Sequence, residues 1–348
     1  MRALTASTWC ALVLACAGAS DANSHANLPP PPVPFFPSTE AGIALGERLF
    51  FDPMLSGDDT LSCASCHAPE LAFSDGVALA NIGASGVTLP RNAPGLTNVA
   101  WATALFWDGG AMNLESLVLS PLTNPDEMNQ ALGPLLDELA ADERYVDEFE
   151  QAFPDDGLVI ANVMRALAQY MRTLVSAGSR YDRFVRGEGG RLSEAELAGM
   201  QVYTSHCSSC HATDLFTDNG FHNNGIDSTF PEDPESFGRG RARATLDPLD
   251  VGAFKTPTLR NLGYTAPYMH DGRFATLEEV VEHYNSGVKA HPNLDPRLRV
   301  SPTGAIEPRR LNLTPAESAS LVAFLKTLTD DELLKDGHYS DPFLSHTH

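Results

Sequence analysis

The sequence predicts an all-α protein of two domains related by internal duplication, with long loops between the helices. Three observations predict it. Helical patterning recurs along the chain while strand alternation is scarce. The stretch "CASCH", Cys63 to His67, returns downstream as "CSSCH", Cys207 to His211. A segment after the first motif also aligns, without a gap, with a segment after the second.

The paired motifs set the chemistry. Cys-x-x-Cys-His is the spacing that covalent attachment of a c-type haem requires. Two thiols, Cys63 and Cys66 or Cys207 and Cys210, reach the two vinyl groups, and the adjacent His67 or His211 turns its imidazole onto the iron. A zinc site would gather four ligands into one tetrahedron, and a redox dithiol needs no histidine directly after its second cysteine in both copies. Of the six cysteines, the remaining two, Cys10 and Cys16, fall in an apparent export signal, so no thiol is left for a structural disulfide. The expectation is two covalently bound haem c groups, one in each of two cytochrome c-like domains.

In chain order, residues 1–26 read as an export signal, with a basic start, an apolar run and small residues, too short for a membrane span. Cleavage after Ala22 or Ala26 would release the protein, whereas "VLA" before Cys16 is the pattern of a lipoprotein site and would leave a lipid anchor. Bacteria attach haem to this motif outside the cytoplasmic membrane, so a periplasmic location is expected. No later apolar segment is long enough to span a bilayer. "NLPPPPVPFFP" makes residues 27–40 a proline-rich arm. Residues 41–190 then form the first haem domain and 191–335 the second, with the boundary in "RGEGGRLS". The net charge of −22 argues against nucleic acid and anionic membrane surfaces and favours a basic or neutral partner.

The helices are marked by period and by caps. "DGLVIANVMRALAQYMRTL" places Ile160, Val163, Leu167, Tyr170 and Leu174 on one face. "SEAELAGMQVY" opens on Ser193 and Glu196 in capping-box spacing, and "TPAESASLVAFLKTL" repeats the device with Thr314, Pro315 and Glu317.

The repeat compares the surroundings of the two irons. "APGLTNVAWATALFWDGG" from Ala93 aligns with "TPTLRNLGYTAPYMHDGR" from Thr256, pairing Asn98 with Asn261 and Asp108-Gly109 with Asp271-Gly272. In the same register "NLESLVLSP" lies over "TLEEVVEHY", so Tyr284 of the second half falls on Pro121 of the first. Tyr284 shares a helix face with Leu277 and Val280 or Val281. A phenolate can ligate iron, whereas proline has no side-chain donor. Periodicity alone favours Tyr284 as a core aromatic, and His283, Met269, His270, His222 and His291 are rival ligands. No histidine lies between His67 and His206, which leaves Met112, Met128, Met164 and Met171 as the other donors for the first iron. Methionines on apolar helix faces are mostly core filler, so the first iron is expected to be open and able to bind peroxide; two closed irons would make an electron carrier.

From "GERLFFDPMLSGDDTLSCASCH" to "LVAFLKTLTD", with "PRNAPGLTN", "FWDGG", "TPTLRN" and "APYMHDGRFATLEEVV" in order, the chain resembles the bacterial dihaem cytochrome c peroxidase and MauG family. The resemblance implies an N-terminal haem that reacts with hydrogen peroxide and a C-terminal haem that stores or relays electrons. Conventional peroxidases of that family carry a removable histidine in the loop that here reads "NIGASGVTLPRN", and methionine where Tyr284 stands. Both departures resemble the MauG branch, above all the methanobactin-associated MbnH-type members. These form a high-valent dihaem state and oxidise a side chain, tryptophan in the MbnH type, of an exported partner protein. The alternative is a cytochrome c peroxidase that reduces hydrogen peroxide with electrons from a small redox protein.

By position, the resemblance implies His67 and His211 as proximal ligands, Tyr284 as distal ligand of the second haem, and Trp107 as the aromatic between the haems. It makes Glu127 the acid of the peroxide pocket, and Asn92, Thr265 and Pro267 a calcium site between the haems. Two positions depart from it: Leu117 stands where the family has a glutamine, and Ser205 where MauG has a surface tryptophan, leaving Tyr203 or direct docking as the outward route.

Overall fold

The computed structural model describes residues 27–77 and 83–344. The export signal, with Cys10 and Cys16, lies outside the described residues, as does part of the loop after the first motif. The helices run α1 (Glu40–Phe51), α2 (Leu114–Thr123), α3 (Leu132–Ala141), α4 (Glu143–Ala152), α5 (Ile160–Thr173), α6 (Arg180–Val185), α7 (Glu194–His206), α8 (Ala242–Thr245), α9 (Leu277–Glu282) and α10 (Pro315–Lys326). One short antiparallel ladder joins β1 (Phe221–His222) to β2 (Phe254–Lys255). The fold is all-α, with two cytochrome c units, and none of the described helices is long and apolar enough to cross a membrane.

Each unit is built on one helix crossing. In the first, α1 crosses α5; in the second, α7 crosses α10. A single glycine lets the backbones touch in each. A Cβ on Gly46 would lie 2.0 Å from the Ala166 carbonyl oxygen, and one on Gly199 would lie 1.9 Å from that of Ser320. The expected face of α5 is formed as read, with Val163, Leu167 and Tyr170 buried against α1. Both expected capping boxes are present, Ser193 with Glu196 and Thr314 with Glu317, each satisfying amides that the first turn leaves unpaired. In the second core Phe324 and Leu328 are wholly buried, each stabilising the unit by about 1.5–3 kcal/mol.

The duplication extends to individual dihedrals. Asn98 and Asn261 have φ of 59° and 63°, Phe106 and Met269 63° and 74°, and Gly109 and Gly272 75° and 63°. All three pairs share the ungapped register. Equivalent bridges close Leu105 on Ala111 and Tyr268 on Phe274, and the next helices start from equivalent caps, Asn113 and Thr276.

The units are clamped by buried polar groups. Arg260 and Asp182 form a two-pronged ion pair at 2.8 and 2.9 Å with both side chains fully buried. Burial alone would raise the Asp182 carboxyl, but the guanidinium outweighs it and holds the group below the usual range. The start of the arm joins this clamp: Asn27 donates to Asp182 at 2.6 Å, Leu28 is buried beside Trp101, and the Trp101 indole donates to the Pro29 carbonyl at 2.9 Å. Beyond it most of the arm is exposed, Val33 and Phe35 included. The first three residues of the arm thus pack on the folded part, because an apolar leucine has a pocket to fill.

Candidate dihaem site

A continuous cavity of about 1040 Å³ touches both Cys-x-x-Cys-His motifs. The first motif opens as a 3-10 turn at Cys63–Ser65 and the second directly follows α7, and both histidines line the cavity. His67 Nδ1 donates to the Phe73 carbonyl at 2.9 Å and His211 Nδ1 to the Phe216 carbonyl at 3.1 Å. That leaves each Nε2 as the free donor, and burial lowers both imidazoles so that they are neutral. The four thiols are free and half-buried. Burial pushes Cys63 and Cys207 up to about 12 and Cys66 to about 11, and raises Cys210. Paired cysteines, an adjacent oriented imidazole and a large, mainly apolar cavity fit covalent haem at both motifs.

On the second side the wall is α9 and the turn after it. Leu277, Val280, Val281 and Tyr284 all line the cavity, the face expected from the sequence. The helix does not simply end before Gly287: His283–Gly287 form a π turn, a local widening common at functional sites. Burial pushes the Tyr284 phenol up to about 12, so its ionisation calls for a cation in front of it. Its oxygen accepts a bond from Asn224 Nδ2 at 3.3 Å. Among the rivals, His283 turns Nε2 to the Asn224 carbonyl at 3.2 Å and His270 stacks on Phe254 at 3.6 Å. His222 is held between Asp218 and Asp295 at 2.9 and 2.8 Å, and His291 packs edge-on to Phe230. Met269 shares the wall with Tyr284, its sulfur 3.7 Å from the same Asn224 amide.

The first side differs. Pro121 stands inside α2 on the cavity wall, next to Leu117. Met112 is exposed and Met164 packs in the core, while Met128 and Met171 reach the wall from within the apolar cluster. Glu127 also lines the cavity, and its charge raises the neighbouring Cys66 thiol. Burial raises the Glu127 carboxyl, opposed by the bond that Oε1 accepts from Asn124 at 2.8 Å. A half-buried carboxyl with a raised pKa holds a proton more readily than an exposed one, which suits a proton carrier.

Between the two sides lies Trp107. Its indole donates to the Asn92 carbonyl at 2.9 Å, and its own carbonyl accepts the Lys255 amide at 2.8 Å. The Asn92 amide N–H donates to the His270 carbonyl at 3.1 Å, which lays that segment along the one carrying Thr265 and Pro267. The Asn92 side-chain amide is turned to Asp75 at 2.8 Å. Ser205 and the His206 end of α7 lie at the rim, and the Tyr203 hydroxyl donates to the His211 carbonyl. Among the described residues, Cys210, Asp218 and His222 form a cluster of metal-ligating types. Asp218 and His222 already bond each other and Arg297, so the cluster is an ion-pair network beside the motif. Sequence reasoning missed Asn224, one of several loop asparagines with no signal of its own. It also missed Lys255, which shares the repeat position of Asn92.

The model of the di-haem cytochrome c peroxidase family matches residues 40–190, and that of cytochrome c matches residues 197–329. The chain is 38% identical over 295 residues to the methylamine utilization protein MauG of Methylorubrum extorquens, covering 84% of this chain and 79% of that protein. It is 33% identical to the cytochrome c551 peroxidase of Nitrosomonas europaea, over 88% of this chain and 86% of the other. The solved structure of a MauG-like protein associated with microbial copper homeostasis superposes with a TM-score of 0.80 at 36% identity, covering 91% of this chain and 97% of that one. Matched over most of its length and carrying two c-type haem sites in one cavity, the chain belongs to the dihaem cytochrome c peroxidase and MauG family of peroxide-dependent oxidoreductases.

Proposed function

We propose that the protein uses hydrogen peroxide to oxidise a side chain, tryptophan by preference, of an exported partner protein. The observation that carries this reading is the asymmetry between Tyr284 and Pro121 at equivalent places on the two cavity walls. When bound, the haems supply the redox chemistry, taking up the two oxidising equivalents of each peroxide. Pro121 offers no side-chain donor and keeps its side open to a small oxidant. Tyr284 offers a phenol oxygen on the other side, a more electron-rich donor than a thioether. Glu127 takes the proton from the near oxygen of peroxide and returns it to the far, leaving oxygen, with Asn124 holding its carboxyl in place. Trp107 bridges the two walls and keeps them in register through Asn92 and Lys255. Asn92, Thr265 and Pro267 would supply oxygen donors to a calcium ion that holds the same segments together. The location is periplasmic, with export directed by residues 1–26 and a lipid anchor at Cys16 if cleavage falls there.

The relative named a cytochrome c551 peroxidase keeps a second reading in view, in which a small redox protein donates the electrons. Purified holoprotein, hydrogen peroxide and exported proteins encoded beside it separate the two. Mass spectrometry should find one oxidised tryptophan in a partner. Fast peroxide reduction by a reduced small cytochrome, with every candidate partner left unmodified, would overturn the first reading in favour of the second.

A further inference from the structure

Lys255 ends β2, and the strand fixes it from both sides. Its amide donates to the Trp107 carbonyl at 2.8 Å, and the next amide, of Thr256, donates to the Gly220 carbonyl at 2.9 Å. The Thr256 carbonyl accepts the Thr217 hydroxyl at 2.7 Å, and the Pro257 carbonyl faces His211. The lysine therefore belongs to the wall of the second motif, at its border with Trp107. Its side chain lines the cavity, and its ammonium makes no hydrogen bond or ion pair among the described residues. The carboxylate that it feels, Asp218, is already held by the Gly220 amide at 2.8 Å and by His222 at 2.9 Å. Burial pushes the ammonium down to about 8. A cation partly withdrawn from water is stabilised by a counter-charge, and among the described residues it feels only this already engaged carboxylate.

The missing anion has an obvious source in the chemistry of the group that the cavity fits. Haem carries propionate carboxylates on its rim, anions of the kind that a cation on this wall could pair with. The duplication supplies a contrast. At the equivalent register the first half has Asn92, an uncharged amide engaged with Asp75, so the two haems meet different charges beside Trp107. We propose that Lys255 is the counter-ion of a propionate of the haem attached to Cys207 and Cys210, fixing that edge of the ring against Trp107 and raising its reduction potential. A cation beside a redox group favours the more electron-rich state, which gives the sign. The inference rests on the fit of the cavity to haem and is independent of which substrate is oxidised.

Resonance Raman spectra and potentiometric titrations of the holoprotein test it with Lys255→Met and Lys255→Arg. Lys255→Met should shift the propionate-bending band of one haem and lower that haem's potential, leaving the other haem unchanged, and Lys255→Arg should restore both towards the unaltered protein. Thioether bonds keep the haems attached while this is read. Should Lys255→Met fail to accumulate with both haems, Lys255→Gln is read the same way. A band and a potential identical to those of the unaltered protein in the uncharged variant would overturn the assignment, as would equal displacement of both haems by Met and Arg.

Discussion

Glu127→Gln removes the proposed proton carrier while leaving the scaffold in place. The glutamine has the same shape, and its Oε1 can still accept the 2.8 Å bond from Asn124, so the loop need not move. What is lost is the capacity to hold and release a proton. General acid–base catalysis of this kind is worth about 10²–10⁴-fold, or roughly 3–5 kcal/mol at 1.36 kcal/mol per decade. Stopped-flow spectroscopy of the resting protein mixed with peroxide should show the second-order rate falling by that factor. The pH profile supplies a second readout. Because burial raises the Glu127 carboxyl, the unaltered protein should lose rate as pH falls through that raised value, where the base becomes protonated. The variant should lack that acid limb. An unchanged rate, or an acid limb that survives in Glu127→Gln, would refute the assignment.

Two further perturbations test the scaffold. Asp182→Asn leaves the fully buried Arg260 guanidinium without its carboxylate and should cost about 3–5 kcal/mol in chemical denaturation. The Asp182 carboxyl is held below its ordinary value, so the stability it adds is fully present above about pH 4 and is lost as pH falls towards the folded value. That acid-dependent part should be absent from the variant. Gly199→Ala drives a methyl group against the Ser320 carbonyl, forcing α7 from α10, and should cost about 1–3 kcal/mol in thermal melts, whereas Gly133→Ala, on the open face of α3, should not.

Much of this was legible because the chain marks it locally. Ser193 with Glu196 and Thr314 with Glu317 announce helix starts by satisfying their own amides, and the face of α5 repeats with the helical period. The duplication could be read because its shared residues sit where the backbone demands them: Asn98, Asn261, Gly109 and Gly272 all have positive φ. The features that could not be read depend on distant partners. Leu28 looks like the start of a free arm until Trp101, Ala177 and Leu215 close around it. The π turn at His283–Gly287 is held by Asn285, which accepts the amides of Leu311 and Leu313 from another segment. The neighbourhood of Tyr284 likewise depends on Asn224, sixty residues upstream. Burial of Glu127 is a property of the folded loop, since a glutamate in "NPDEMN" reads as solvated.

The central claim is that the two haem pockets are chemically unequal, open beside Pro121 and closed by Tyr284. Electron paramagnetic resonance of the resting ferric protein, compared with Tyr284→Phe, tests it most directly. The account predicts one high-spin and one low-spin component in the unaltered protein, with Tyr284→Phe removing the low-spin component and its phenolate absorption while the high-spin component stays. Two low-spin components at rest, or a low-spin signal untouched by Tyr284→Phe, would contradict it and move the ligand to Met269 or another donor on the same wall.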